Sequence, residues 1–283
     1  MTTTRSIVLG GGGVTGIAWE IGVLHGLDRL GIALRDADAV YGTSAGAFAA
    51  TALAVGNLEE RYLEQSAPTT EIPGSFSEDL AARYGQIFTT FHADEVNTGQ
   101  AFGLLARSAH TITPEARYGV VRQRLGTEDW PSDRLRFTAI DADTGVLEVL
   151  DSTSGLTVTE AAAASGAVPG LWPLVTAGGR SWIDGGMYSS FNAHLAAGHD
   201  RVLIIAPSVA FDTGADDVQS SADRLRAQGT RVATVEPDAQ TRDAIGPNPF
   251  DPQLRSAAAA EGMRQAHEAA DVIRALWEES VGK

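Results

Sequence analysis

The sequence predicts an α/β protein in which helices cover a mostly parallel sheet. Short apolar runs at 6–9 and 202–206 have the length of buried strands and end in turn residues. Between such runs lie segments with helical spacing of apolar residues, as in 17–30, and Gly31 is expected to end that helix. Because alternating strands and helices build parallel sheets with covered faces, these observations indicate the α/β class.

Composition narrows the class of protein further. The 283 residues are 43% hydrophobic, which is enough to bury a large core. The net charge of -15 argues against nucleic-acid binding and against tight docking on strongly anionic membranes. Transient contact with a membrane surface stays open. The absence of cysteine excludes disulfides, a thiol nucleophile and thiolate-bound zinc.

The chain shows neither a signal peptide nor a membrane span. The apolar run at 6–9 is too short for a signal-peptide core, and no stretch reaches about 18 uninterrupted apolar residues. We therefore expect a cytoplasmic protein. A final amphipathic helix is predicted at about 255–280.

The segment 59–124 is less regular than the rest and predicts an inserted cap or lid. It mixes helical stretches with prolines and glycines. Its large apolar residues either line an acyl-chain groove or form ordinary helix core, and the core interpretation is favoured. These residues are Phe76, Tyr84, Phe88, Phe91, Phe102, Leu104 and Leu105.

The segment 42–46, Gly-Thr-Ser-Ala-Gly, has the G-x-S-x-G pattern of a nucleophile elbow. A predicted strand at 39–41 precedes it and a helix rich in small residues follows it. In that context the serine lies on a sharp turn with an exposed hydroxyl, and small neighbours relieve the crowding. Ser44 is therefore the candidate nucleophile; the alternative is a plain turn with an N-capping serine.

A glycine-rich loop at 10–16 joins the first strand to the first helix. Its N–H groups can stabilise negative charge at the start of a helix, as in an oxyanion hole. The alternative is dinucleotide binding, since Gly11, Gly13 and Gly16 fit G-x-G-x-x-G and Asp36 lies 20 residues after Gly16. Asp36 precedes the second strand, whereas a ribose-binding acid follows it, so the oxyanion hole is favoured.

Asp184 is the candidate acid. It stands at a predicted strand end before Gly185 and Gly186, a pattern that alone is typical of a turn. Its position after the glycine loop and the serine elbow favours catalysis. A Ser…Asp…His order also exists in hydrolases, and His194 and His199 come nearest to it. Neither stands in a recognisable context, so a histidine triad is the less favoured alternative.

Together the motifs resemble those of the patatin-like phospholipase family over roughly 6–205. The matching segments are Gly-Gly-Gly-Val-Thr-Gly at 11–16, the elbow at 42–46, Ala-Ser-Gly-Ala-Val-Pro at 164–169 and Asp-Gly-Gly at 184–186. The sequence departs from the family at Thr15, where Arg or Lys is usual. It departs again at Asn192-Ala193-His194, which lacks the proline of an Asn-x-Pro motif.

The resemblance implies a three-layer α/β/α fold with a helical cap, in one domain spanning 1–283. It implies hydrolysis of fatty-acyl ester bonds in lipids by a Ser44–Asp184 dyad, without calcium or another cofactor. The implied site residues are the dyad, the oxyanion amides of Gly11, Gly12 and Gly13, and the elbow glycines Gly42 and Gly46. The alternatives are a non-catalytic lipid-binding or scaffolding protein of this fold and, less favoured, a dinucleotide-binding oxidoreductase. Head group, acyl length, acceptor and oligomeric state are not specified by the sequence.

Overall fold

The computed structural model describes residues 3–69, 74–91, 94–207 and 217–278. Within these ranges the strands are β1 (Arg5–Leu9), β2 (Ala39–Thr43), β3 (Leu135–Asp141), β4 (Leu147–Leu150), β5 (Val175–Ala177), β6 (Arg180–Asp184), β7 (Arg201–Ile205) and β8 (Arg231–Val235). The helices are α1 (Gly13–Arg29), α2 (Ala45–Val55), α3 (Leu58–Glu64), α4 (Glu78–Thr90), α5 (Glu95–Ser108), α6 (Pro114–Leu125), α7 (Val158–Ser165), α8 (Val218–Ala227), α9 (Ala239–Ile245) and α10 (Arg255–Glu278).

All eight strands form a single mixed sheet, in the order β5-β6-β3-β2-β1-β7-β8, with β4 also paired with β3. The neighbouring pairs β3–β2, β2–β1, β1–β7 and β7–β8 are parallel, whereas the pairs β3–β4, β3–β6 and β5–β6 are antiparallel. The α/β class and a parallel centre are thus confirmed. The antiparallel end arises because short turns join β3 to β4 and β5 to β6, which a parallel crossover cannot do.

Alternation along the central strands builds the layers on either side of the sheet. In β1, Ile7 and Leu9 join the core under α1, α2 and α10, while Val8 joins the opposite core against α8. In β7, Leu203 joins the core under α1, α2 and α10, and Ile204 joins the core against α8. Since successive side chains of a strand point to opposite faces, a sheet covered on both sides needs such continuous apolar strands. The three-layer α/β/α arrangement is therefore confirmed.

The central strand β3 carries two strands on one edge. The β2 residue Thr43 pairs with Thr138, and the β6 residue Asp184 pairs with the next position, Ala139. Both strands lie on the same edge, because β4 occupies the other edge along 137–140. The strands run in opposite directions, so their carboxyl ends meet. This register brings the residues that follow β2 close to the residues that end β6.

Helices of the segment 59–124 divide between two places. Leu58 of α3 and Val121 of α6 join the core under α1 and α2. The helices α4 and α5 cover the antiparallel end of the sheet, where Tyr84 and Phe102 pack with Ile183. Residues 70–73 and 92–93 of this segment lie outside the described residues. Whether the segment acts as a lid stays a prediction.

The large apolar residues of 59–124 behave mainly as core. Tyr84, Phe102 and Leu105 are buried, whereas Leu104 is 69% exposed. Phe76 and Phe88 pack against the buried group from its edge. None of the seven residues proposed for an acyl-chain groove lines the cleft around Ser44. The structure therefore favours the core interpretation.

The C-terminal helix α10 packs closely against α1. A Cβ on Gly262 would overlap the carbonyl oxygen of Trp19, and a Cβ on Gly22 would overlap that of Ala259. Glycine at both positions lets the two backbones touch, which fixes α1 and the loop before it. The predicted helix at 255–280 is described to Glu278, and its last two residues lie outside the described part. Among the described helices, none is both long and apolar enough to cross a bilayer.

This contact predicts that Gly262→Ala lowers the free energy of unfolding by ~3 kcal/mol, because overpacking forces the helices apart. Urea unfolding at one pH measures the change. Gly85→Ala is the matched control, since a Cβ there meets nothing within 4 Å. That variant is expected to gain ~0.5 kcal/mol from the better helix propensity of alanine. Equal stabilities for the two variants would contradict this account of the helix contact.

Candidate active site

Ser44 lies on a strained turn between β2 and α2. Its backbone has φ 54° and ψ −112°, a region that residues with a side chain rarely adopt. The Ser44 N–H donates to the Ser165 hydroxyl over 2.9 Å, and the Gly46 N–H donates to the Gly10 carbonyl oxygen over 2.9 Å. These bonds hold the strained conformation in place. The turn has the geometry that a nucleophile elbow needs.

The elbow glycines are required by close approach of the backbone. A Cβ on Gly46 would overlap the carbonyl of Leu9 in β1. A Cβ on Gly42 would lie 2.7 Å from the Gly46 carbonyl oxygen. The sharp turn can therefore pass over the end of β1 only with glycine at both positions.

Asp184 ends β6 and is 1% exposed. Its Oδ1 accepts a hydrogen bond of 2.7 Å from the Gly186 N–H. A Cβ on Gly185 would overlap the Thr138 side chain and lie 2.6 Å from its carbonyl oxygen. Glycine at 185 thus lets the chain turn directly against β3, so that the carboxylate faces the end of β2.

A buried polar network joins the two strand ends. The Thr138 hydroxyl donates to the Thr43 hydroxyl over 2.8 Å. The Asn192 Nδ2 donates to the Thr43 hydroxyl over 3.1 Å and to the Gly185 carbonyl oxygen over 3.2 Å. The residues before Ser44 and after Asp184 are therefore tied to one side chain. Buried hydrogen-bond networks of this kind help to hold a site in one arrangement.

Burial raises the pKa of Asp184 to about 7, because the charged form loses its hydration. Hydrogen bonds from the Ser44 hydroxyl and the Gly186 N–H, together with the positive charge of Arg117, act in the opposite direction and limit the rise. The Ser44 hydroxyl thus lies against a carboxylate that changes charge near neutral pH. A carboxylate with this pKa is a stronger base than an ordinary aspartate, so it is better suited to take the hydroxyl proton as the oxygen attacks.

Ser44 and Asp184 line an open cleft together with the glycine loop. Gly12 and Gly13 begin α1, and their N–H groups have no backbone partner within the described residues. The Gly11 N–H, by contrast, donates to the Ser190 carbonyl oxygen over 2.6 Å. The prediction that all three amides are oxyanion donors therefore needs correction at Gly11, which serves the close approach to the elbow. For Gly12 and Gly13 it stays a prediction.

The contacts of Thr15 give a structural reason for threonine at this position, where the family motif usually has Arg or Lys. It is fully buried, and its N–H and hydroxyl both donate to the Pro249 carbonyl oxygen, over 3.1 and 3.3 Å. Pro249 and Phe250 line the cleft beside Ser44. Threonine at this position thus anchors a wall of the cleft instead of supplying a charge.

The histidine and nucleotide alternatives lack the required geometry. His199 lies before β7, and its ring is 6.3 Å from that of Tyr41. His194 lies in a short turn, and neither histidine lines the cleft that holds Ser44. Asp36 lies in the turn that enters β2, not at the strand's carboxyl end. A ribose-binding acid is thus missing from the position where the fold would need it.

Sequence reasoning missed one residue of the site and gave two others no role. Arg117 on α6 is buried, donates to the Gly166 carbonyl oxygen and stacks 4.4 Å from the Trp172 ring. It lies about 70 residues before Asp184 in a segment without a motif. Ser165 and Asn192 stood within or beside motifs, but only the fold shows that they contact the two strand ends.

The chain matches the family model described as patatin-like phospholipase over residues 7–197. This range contains the elbow, the glycine loop and Asp184. No curated protein sequence matches the chain.

Solved structures of bacterial proteins are similar to this chain. VipD from Legionella pneumophila has 15% identity and a TM-score of 0.45, over 95% of this chain and 67% of that chain. The type III effector protein ExoU has 19% identity and a TM-score of 0.39, over 95% and 53%. The heterodimeric ExoU-SpcU complex from Pseudomonas aeruginosa gives 19% and 0.39, over 95% and 52%. The chain thus spans about half the length of the ExoU chains.

The electrostatics of the site predict where Asp184 titrates. Carboxyl carbon NMR of the wild type should show a midpoint at about pH 7 for this group. In Arg117→Gln the midpoint should rise by up to ~1 unit, because a positive charge that favours the carboxylate is lost. Arg117→Lys keeps the charge and should restore most of the shift. A wild-type midpoint near 4 would show that the carboxyl is hydrated.

Proposed function

The chain belongs to the patatin-like phospholipase family, and on this basis we propose that it hydrolyses fatty-acyl ester bonds in lipids through Ser44 and Asp184. One observation carries the proposal. A strained, accessible serine hydroxyl lies against a buried carboxylate, in a cleft bordered by helix N–H groups that have no backbone partner in the described part of the chain. These are the parts that nucleophilic acyl transfer requires.

In the first half of the reaction, the Ser44 hydroxyl attacks the ester carbonyl while Asp184 takes its proton. The carbonyl oxygen becomes negative in the tetrahedral intermediate. When the intermediate collapses, the bond to the alcohol breaks, and the alcohol leaves with the proton from Asp184. The acyl group stays on Ser44 as an ester.

In the second half, water attacks the acyl-enzyme and gives its proton to Asp184. The fatty acid leaves, and Ser44 regains its proton. A carboxyl with a pKa of about 7 suits both directions of transfer, since it is a stronger base than an ordinary aspartate and is still half ionised at neutral pH. No histidine is needed in this scheme.

The oxyanion is proposed to lie at the start of α1. The Gly12 and Gly13 N–H groups border the same cleft as Ser44, and the helix dipole adds to their effect. A well-placed donor of this kind is worth ~3 kcal/mol in the transition state. A Cβ on Gly13 would lie 2.5 Å from the Pro249 carbonyl oxygen, so only glycine leaves this turn intact.

The proposed substrate is a lipid or another acyl ester. Val168, Met187 and Phe250 give the cleft an apolar wall beside Ser44, which suits an acyl chain. We further propose that 1–283 acts as one hydrolase domain in which the helices of 59–124 form the cap. A non-catalytic lipid-binding protein of the same fold is the alternative, and it would use the same wall without the chemistry.

Removal of either dyad residue is expected to lower kcat for a p-nitrophenyl ester by about a thousand-fold or more. Ser44→Ala removes the nucleophile, and Asp184→Asn keeps the shape of the acid but not its basicity. Ser152→Ala, at an exposed turn, serves as the control and should keep full activity. Wild-type rates in both dyad variants would rule out the mechanism.

Labelling with a fluorophosphonate distinguishes a hydrolase from a non-catalytic lipid-binding protein of the same fold. The probe should modify Ser44 alone, as identified by peptide mass spectrometry, because only an activated serine attacks phosphorus at a useful rate. Labelling should be lost in Ser44→Ala and strongly reduced in Asp184→Asn. Retained lipid binding without labelling of the wild type would favour the non-catalytic alternative.

A further inference from the structure

One loop forms hydrogen bonds with both members of the Ser44–Asp184 pair. It comprises residues 165–172, which run from the end of α7 toward β5, and we call it the bridging loop. At its start, the Ser165 hydroxyl accepts the Ser44 N–H over 2.9 Å. Two residues later, the Ala167 carbonyl oxygen accepts the Asp184 N–H over 3.1 Å. The bridging loop therefore fixes the backbones of nucleophile and acid relative to each other, in addition to the sheet.

The helix α4 holds the middle of this loop. The Tyr84 hydroxyl donates to the Pro169 carbonyl oxygen over 2.8 Å. The next residue, Gly170, has φ 83°, and a Cβ there would lie 2.5 Å from the Leu80 Cδ1. Glycine thus lets the loop turn closely against α4. Two consecutive loop residues are held by the same helix, one through a hydrogen bond and one through apolar packing.

The Tyr84 ring is itself tightly enclosed. It is 3% exposed, and its centroid lies 4.6 Å from that of Phe102 and 4.9 Å from that of Phe76. A hydroxyl on such a ring has a fixed position, so its hydrogen bond determines where the Pro169 carbonyl lies. Tyr84 does not line the cleft around Ser44, so it acts on the site only through the residues that it holds.

The helix α6 holds the bridging loop at two further points. Arg117 donates to the Gly166 carbonyl oxygen over 3.4 Å, and its guanidinium lies 4.4 Å from the centre of the Trp172 ring. Both α4 and α6 belong to the segment 59–124. Helices of this segment are therefore connected to the nucleophile and the acid through one short loop.

The position of the loop matters because the conformation of Ser44 is unfavourable by itself. A strained backbone keeps its conformation only while its surroundings hold it. The bond from the Ser44 N–H to Ser165 is one of the contacts that do so. A displacement of reacting groups by about 1 Å lowers a rate by about a hundredfold. Small shifts of the bridging loop are thus sufficient to separate the Ser44 hydroxyl from the Asp184 carboxylate.

We propose that Tyr84 is a positioning residue of the hydrolase, which sets the separation of Ser44 and Asp184 through its hydrogen bond to Pro169. The inference rests on the proposed function and assigns a role in it to the helix α4. Because Ser44 and Asp184 serve both halves of the reaction, a change in their separation slows acylation and deacylation together. Loss of the Tyr84 hydroxyl should therefore lower kcat and leave KM nearly unchanged.

Tyr84→Phe tests this role, since it removes the hydroxyl and keeps the ring. With p-nitrophenyl butyrate, kcat should fall about tenfold and KM should change by less than about twofold. Tyr188→Phe is the matched control, because the Tyr188 hydroxyl is also buried but has no hydrogen-bond partner in the described part of the chain. The control should keep the wild-type kcat. An unchanged kcat in Tyr84→Phe, or equal losses in the two variants, would overturn the inference.

A double-mutant cycle with Ser165 tests whether the effect passes through the bridging loop. Ser165→Ala alone should lower kcat, since the Ser44 N–H loses its acceptor. The double variant with Tyr84→Phe should lose clearly less than the product of the two single losses, because both changes disturb the same path. Losses that simply multiply would show that Tyr84 acts independently of the loop, and would overturn the assignment.

The pH dependence of kcat gives a readout that lost stability does not change. The hydrogen bond from the Ser44 hydroxyl lowers the pKa of Asp184, whose value is about 7. Loosening this bond in Tyr84→Phe should raise the midpoint of the acidic limb by ~0.5 unit. An unshifted midpoint, with a loss of rate that follows the unfolded fraction in the same buffer, would show a purely structural role and overturn the inference.

The outcome for Ser44→Ala distinguishes this inference from the proposed function. Full activity of Ser44→Ala would overturn the proposed function and the inference with it. An inactive Ser44→Ala beside a fully active Tyr84→Phe would overturn the inference alone.

Discussion

The candidate site depends on one constraint, the meeting of β2 and β6 end to end along a single edge of β3. Thr43 and Asp184 pair with adjacent positions of β3, so the register of the two strand pairings sets the spacing of Ser44 and Asp184. The bonds from Asn192 to Thr43 and Gly185 hold that junction. A slip of either strand by one residue would reverse its side chains between the two faces and separate the pair.

At the same junction, the backbone conformation of Ser44 and the burial of Asp184 each cost folding free energy. Ser44 has a strained backbone, and Asp184 is buried with a pKa of about 7. Either feature alone lowers stability. The surrounding close contacts compensate, because glycines at the elbow and in the α1–α10 contact let backbones pack at distances that no other residue allows. The strained Ser44 and the buried Asp184 are thus held by closely packed backbone segments around them.

Sequence patterns predicted the elements near this junction well and those farther away less well. The strand, turn and helix around 42–46 each have a strong local signal, and the structure forms them. The helices of 59–124 have helical spacing, but their positions depend on which apolar face meets which core. The donor role expected for Gly11 was wrong because its N–H pairs with Ser190, a contact between segments almost 180 residues apart. Local pattern contains no information about such a partner.

The sequence by itself determined the α/β class and predicted the sharp turn at 42–46, the glycine loop at 10–16 and the candidate acid Asp184, because each depends on residue types at short, fixed spacing. Only the tertiary structure decided that the sheet is antiparallel at one end, that Asp184 is dehydrated and that Arg117 lies near it. It also decided that Arg61, Arg124 and Arg255, from α3, α6 and α10, line one cleft. These properties are sums of long-range contacts and solvent exclusion, which exist only once distant segments pack together.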